Sequence, residues 1–167
     1  LALYNGQPKV MTLKETLQHY IEFQVEVIRR RTEFDLKKAR DREHILEGLK
    51  IAQDNIDEVI KIIRSSRDNN ESRPRLMERF GLTEIQANAI LAMRLGQLSA
   101  LDREKLEQEL ADILEKIREY EAILGDVQLV YGIIKEEINI IKAKYADERR
   151  TEIQTVSGEV DIEDLIP

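Results

Sequence analysis

The sequence predicts an all-α protein: a long antiparallel two-helix coiled coil with a small helical knob at its tip and a short β-hairpin at its base. Three observations carry that expectation. First, steps of four and three in strict alternation from Leu106 reach Leu110, Ile113, Ile117, Tyr120, Leu124, Val127, Tyr131, Ile134, Ile138, Ile141 and Tyr145, all apolar or aromatic. A period of 3.5 held that long marks a helix that keeps one seam against a partner helix. Second, Thr12 to Arg73 contains no proline and offers a first arm of matching length. Third, 35% of the 167 residues are charged and only 5% aromatic, a composition suited to solvated helices with narrow apolar stripes.

Residues 1–11 read as a hairpin. Leu1, Leu3 and Tyr4 precede Asn5-Gly6, the dipeptide that tolerates positive φ in a tight turn, and Lys9 to Met11 return with Pro8 confined to an edge. An isolated hairpin is marginal in water, so the rest of its sheet is expected elsewhere. Residues 12–64 form the first arm, opened by a capping box of Thr12 and Glu15. As one helix it spans roughly 80 Å. Its near half shows Leu13, Leu17, Ile21, Val25 and Ile28, and its far half Ile45, Leu49, Ala52, Ile56, Val59 and Ile63. Between them Arg29 to His44 is poor in apolar residues, and Gly48 is a weak point.

Residues 65–98 make the knob. The polar interval Ser65 to Pro74 holds a turn, a short helix Arg75–Phe80 is stopped by Gly81, and Thr83 with Gln86 caps a helix that runs to about Leu95 and ends at Gly96. Residues 99–146 form the second arm, capped by Ser99 with Asp102 in its first turn. It spans roughly 70 Å if helical, with a kink or short break at Gly125 and the seam resuming in register beyond it. Arms of matched length place both chain ends at the base. In residues 147–167 the extended run Arg150-Thr151-Glu152-Ile153 is expected to pair with the hairpin, before an acidic linker of Glu159, Asp161, Glu163 and Asp164.

Composition also narrows the function. The absence of Cys removes disulfides and thiolate metal sites and fits a reducing compartment, so the expected localisation is cytoplasmic. A formal charge of −7 argues against the whole chain being a nucleic-acid surface. No apolar run approaches the ~20 residues that span a bilayer, so no membrane role is expected. The start at Leu-Ala-Leu suggests a piece of a longer protein. His19 and His44 are too few for a metal site, and Tyr120, Tyr131 and Tyr145 fall on the seam, where packing is the expected role. No phosphate-binding loop or dinucleotide fingerprint is present, and the expected catalytic and metal-binding set is empty.

Two surfaces remain. At 100° per residue, the helix from Thr83 shows two apolar faces: Ile85, Ala89, Ala92, Met93 and Gly96 on one side, and Ala87, Ile90, Leu91, Leu95 and Leu98 on the other, divided by Gln86 and Asn88. A helix apolar nearly all round is buried on both sides. Either the chain's own arms and the short helix Arg75–Phe80 cover both faces, or the first, together with Leu82, meets a second copy. The second surface is the basic run Arg29, Arg30, Arg31, Lys37 and Lys38, continued by Arg40 and Arg42. Interleaved Glu33, Asp35, Asp41 and Glu43 favour a solvated face with i,i+4 pairs. The alternative is a salt-sensitive surface facing DNA phosphates.

Several stretches together resemble one family. They are Asn5-Gly6-Gln7-Pro8-Lys9, Arg29-Arg30-Arg31-Thr32, Arg40-Asp41-Arg42-Glu43-His44-Ile45-Leu46-Glu47-Gly48-Leu49, Gln86-Ala87-Asn88-Ala89-Ile90-Leu91-Ala92-Met93-Arg94-Leu95 and Asp147-Glu148-Arg149-Arg150-Thr151-Glu152-Ile153. This order is similar to the A subunit of bacterial type IIA DNA topoisomerases, the family of DNA gyrase and topoisomerase IV. The resemblance covers essentially the whole chain, and departs from the usual pattern at Asn88, Ala92, Gly96 and Gln97. It implies the end of a breakage–reunion region: the tower edge, the coiled coil, and a homodimer gate at the tip through which a transported DNA duplex leaves during ATP-dependent strand passage. It further implies that the DNA-cleaving tyrosine lies upstream, that magnesium and ATP serve the partner B subunit, and that this piece is inactive alone. Outside that family, the shape would suit a structural spacer or tether between two modules.

Overall fold

Local capping fixes where the first helix begins. In the computed structural model, which describes residues 1–93 and 100–153, Ala2–Tyr4 (β1) and Gln7–Lys9 (β2) pair antiparallel around Asn5 and Gly6. Both turn residues adopt positive φ, 50° and 76°, as a tight hairpin turn demands. Helix α1, Leu13–Asp54, starts where the Thr12 hydroxyl accepts from Glu15 N while the Glu15 carboxylate accepts from Thr12 N at 2.8 Å. The Tyr4 ring stacks on His19 at 3.9 Å between centroids, which seats the hairpin on the first turns of α1.

The Thr12 backbone N–H, and then its hydroxyl, hold the Glu15 carboxyl below its usual 4.5. The lowered value means this cap is complete above the ordinary glutamate range and is lost as pH falls through the folded value. Protection of the Thr12 and Thr16 amides, corrected for intrinsic exchange rates, is therefore expected to fall as acid protonates Glu15, and a Glu15→Gln variant to lack that step.

The first arm is two helices, not one. Helix α1 ends at Asp54, and α2 runs Ile56–Ser65. Asn55 sits between them at φ −124°, ψ 34°, its backbone N–H shared between Ile51 O and Ala52 O and its side-chain amide donating to Ile51 O. An Asn side chain that bonds the backbone competes with helix continuation. The turn that follows is shorter than the polar interval suggests. Helix α3 already begins at Asn69 and runs to Phe80. Asp68 accepts from Glu71 N, and the Glu71 carboxylate accepts from Arg67 N, so two otherwise orphaned donors are satisfied. Pro74 lies inside this helix and costs it one rung. Gly81, in the left-handed conformation at φ 65°, stops it, and Leu82 N donates back to Met77 O. Helix α4 is Glu84–Leu91, ending short of Leu95.

The second arm is α5, Ala100–Gly125, and α6, Val127–Tyr145. They are separated at Asp126, whose carboxylate accepts from Gln128 N, so Gly125 ends a helix as expected. The expected Ser99 cap, and Leu95, Gly96, Leu98 and the acidic linker residues, lie outside the described residues.

Residues 1–134 form one unit of this structure. Within it α1 and α5 run antiparallel, because partner numbers fall as α1 numbers rise. Ile28 packs with Val130 and Ile134, Leu36 and Ala39 with Ile117, Arg42 pairs with Glu109, and Asp54 with Arg103. The interval Arg29–His44 is therefore part of the seam. Thr32, Leu36 and Ala39 are its buried residues, at heptad spacing, and the Thr32 hydroxyl is satisfied by donating to Ile28 O. Beyond Gly125 the seam does not keep its phase: Val130 and Ile134 are inside, while Val127 and Tyr131 are 45% and 44% exposed. A second core, Ala52, Val59, Leu76, Leu82 and Ile90, joins α1 to α2, α3 and α4.

In the second unit, residues 135–153 of those described, α6 runs out to Tyr145 with Ile138, Ile140 and Ile141 exposed. Arg150 pairs with Asp147, and the Arg149 guanidinium donates to Thr151 O. Arg150 to Ile153 is not a strand, and the sheet among the described residues is β1–β2 alone.

Candidate functional site

Helix α4 is short, and its position is set by polar contacts as much as by its apolar face. Thr83 Oγ1 accepts from Gln86 N at 3.4 Å, and Gln86 Oε1 accepts from Thr83 N at 3.0 Å, a reciprocal cap. The other end of the same amide, Gln86 Nε2, donates to His44 O on α1 at 2.7 Å. Gln86 is thus buried at 6% exposure, on the inward face, and does not divide the two apolar faces. The helices can approach this closely because α1 carries Gly48 at the crossing. A Cβ built there would stand 2.7 Å from Gln86 Cβ and Cγ. Arg73 of α3 holds the remaining side, donating to Asn88 Oδ1 at 2.6 Å and lying 4.0 Å from the Glu84 carboxylate.

One apolar face is consumed by the chain itself. Ala87 and Ile90 are buried, and so is Leu82 at 5% exposure, in the core with Leu76 and Val59. Leu82 therefore belongs to the inner packing and presents no surface to a second copy. Met93 also departs from the expected stripe. The helix has ended at Leu91 with Ala92 as its cap, so Met93 turns toward the shaft. It lines a cleft of about 180 Å³ with Leu49, Gln53 and Leu106, rimmed by Arg42 and Glu109. The other face is open. Ile85 is 61% exposed, Ala92 is exposed and Ala89 half-buried, at spacings of four and three. Among the described residues nothing of this chain covers Ile85, whereas Gly96 lies outside them.

Arg30, Lys37, Arg40 and Arg42 of the basic run stand in ion pairs. Arg29, Arg30, Arg31, Lys37 and Lys38 are all exposed on α1, with Arg30 bound to Glu26 at 2.8 Å and Lys37 to Asp41 at 3.8 Å. Arg40 reaches across to Glu121, and Arg42 makes a two-pronged contact with Glu109 at 2.8 and 3.1 Å. That carboxylate, chiefly through the hydrogen bond, raises the Arg42 pKa further above its already basic value. Exposed pairs of this kind are weak, and they fit the solvated reading of the run without using up its charge. Among the described residues no group of His, Asp and Glu is placed to hold a metal ion, and no helix is long and apolar enough to cross a membrane.

The site that sequence reasoning missed is the His44–Gly48–Gln86 crossing. His44 Nε2 stands 2.7 Å from Thr83 Oγ1 and His44 Nδ1 3.5 Å from Gln86 Nε2. The available signal was a glycine four residues after a histidine on one helix face, a spacing that puts both on the same stripe.

Comparisons with known proteins agree with one another. The family model for the A subunit of DNA gyrase and topoisomerase IV matches residues 1–139. The DNA gyrase A subunit of Clostridium acetobutylicum is 54% identical over 166 residues, 99% of this chain and 20% of the relative. That of Staphylococcus epidermidis is 53% identical over 169 residues, covering 100% of this chain and 19% of the relative. That of Campylobacter jejuni is 50% identical over 167 residues, with the same coverage. The chain therefore spans about a fifth of the length of these relatives. With a match over most of its length and identities near one half across all of it, this chain belongs to the family of DNA gyrase and topoisomerase IV A subunits.

Proposed function

We propose that this chain forms the coiled coil and reversible dimer gate of a type II DNA topoisomerase A subunit, the gate through which a transported duplex leaves. The observation that carries the reading is the open face of α4, where Ile85, with Ala89 and Ala92 beside it, lies outside a helix whose opposite face is locked to its own chain. A gate contact must hold two protomers together and yet part. A small apolar patch on a rigid helix meets both needs, because it adds affinity without interlocking the chains.

In the parent enzyme, two copies meet through this face as a homodimer, DNA occupies the space behind it, and the B subunit supplies ATP hydrolysis and magnesium in the cytoplasm. The whole is an isomerase acting by ATP-dependent strand passage. This chain's part is mechanical: α1 and α5 carry the face, and no residue in it is assigned to bond cleavage. Gly96 and the surface around Ala89 and Ala92 complete the proposed contact, and Arg29, Arg30, Arg31, Lys37 and Lys38 remain the candidate DNA-facing charges.

Because the chain has no cysteine, a single Ile85→Cys substitution gives a clean test. Under mild oxidation it is expected to yield a covalent dimer within minutes at micromolar protein, while a cysteine placed at exposed Gln108 on α5 yields none. Equal, slow cross-linking at both positions would remove α4 as the contact.

A further inference from the structure

We propose that His44 is a pH-sensitive latch that holds α4 in the position from which it presents Ile85. This rests on the gate reading above for its consequence, but the latch itself lies wholly within one chain. Four atoms determine the tautomer. The Gln86 amide is oriented by two backbone groups, since Thr83 N–H donates to Oε1 and Nε2 donates to His44 O. Gln86 Nε2 is therefore a donor, and it faces His44 Nδ1 at 3.5 Å. Two donors cannot satisfy each other, so Nδ1 is the bare nitrogen. His44 Nε2 then carries the proton and donates to Thr83 Oγ1 at 2.7 Å, which is also the cap of α4. The network closes with neutral imidazole only. A proton on Nδ1 sets an N–H against the Gln86 NH₂, beside the residue that anchors α4 over Gly48.

The surrounding charges do not override this. Helix α4 carries one charged side chain, Glu84, which lies 4.0 Å from Arg73 of α3. On α1 the neighbours one turn away are Arg40, Asp41 and Glu47, and Arg40 is taken by Glu121 of α5. The carboxylates favour imidazolium and the guanidinium opposes it. Apart from half-buried Arg73 all are exposed, where such interactions are weak, whereas the Nδ1–amide conflict sets half-buried His44 against the buried Gln86 amide.

The test measures two quantities on the intact chain at pH 7.5 and 5.5, spanning the range in which histidine ionises. One is amide-exchange protection of Ala87 and Ile90, corrected for intrinsic rates; the other is the dimer dissociation constant. Acid is expected to reduce protection about tenfold and to raise the dissociation constant, by less than that where the latched position stays the major state. His44→Gln removes the titrating group and is expected to abolish the dependence, which also controls for His19. Protection that is the same at both pH values, or a dependence that persists in His44→Gln, overturns the latch. A chain that is monomeric at both pH values yet loses α4 protection in acid supports the latch and overturns the gate reading instead.

Discussion

Replacing Gly48 with alanine is expected to lower the stability of the chain by about 1–5 kcal/mol, although the same change in an ordinary helix raises it. Alanine is favoured over glycine in a helix interior by roughly 1 kcal/mol, which sets the baseline. Against it stands the crossing with α4, where the new Cβ would meet Gln86 Cβ and Cγ at 2.7 Å. Gln86 Cβ is fixed to its own backbone and cannot swing away, so α4 itself must shift. Overpacking of this kind costs about 1–3 kcal/mol. The shift also stretches the Gln86 bond to His44 O, and a buried amide left short of a partner costs about 1–3 kcal/mol more. Gly132, in α6, is the control: an added Cβ there meets nothing within 4 Å, so Gly132→Ala is expected to stabilise by roughly 0.5–1 kcal/mol. Urea unfolding of the two variants should move in opposite directions. If both stabilise, the crossing is looser than its geometry implies.

Ile85→Asp is expected to dissociate the dimer and leave the fold intact. Burying an isoleucine contributes about 1.5–3 kcal/mol, and a two-fold contact counts it twice. The dissociation constant should therefore rise by about 10²–10⁴. The helix should survive for two reasons. Ile85 is 61% exposed in the single chain, so no core is disturbed. Position 85 also lies in the first turn of α4, two residues after the Thr83 cap, where a carboxylate is favoured by the helix dipole. Circular dichroism should thus show unchanged helicity while sedimentation shows a monomer. Loss of helicity would mean that the side chain serves the chain's own fold.

The parts of this molecule that were legible in the sequence are those where one principle acts alone. The seam from Leu106 to Leu124, the Thr12 and Thr83 capping boxes, the Gly81 stop and the Asn5-Gly6 turn are each short-range patterns, and each stands where expected. What escaped was decided by competition or by distance. Asn55 breaks the first arm without glycine or proline, through a side chain that bonds the preceding turn. The seam through Arg29–His44 is built from Thr32 and Ala39, a polar and a small residue, and looks bare when only large apolar side chains are sought. Asp68 and Glu71 begin a helix in a stretch polar enough to read as a turn. One non-helical residue at Asp126 was enough to change which side of α6 faces inward, so Tyr131 left the seam. At the candidate site, Ile85, Ala89 and Ala92 were legible as one stripe. Leu82 and Met93 were not, because the burial of the first depends on α3 and the turn of the second on where α4 ends.

Everything functional rests on the open side of α4 being a meeting surface for an identical helix. Sedimentation equilibrium of the unaltered chain across the micromolar range tests it most directly. A reversible dimer that Ile85→Asp converts to monomer is the predicted result. A monomer throughout that range, or a dimer unmoved by the substitution, would contradict it.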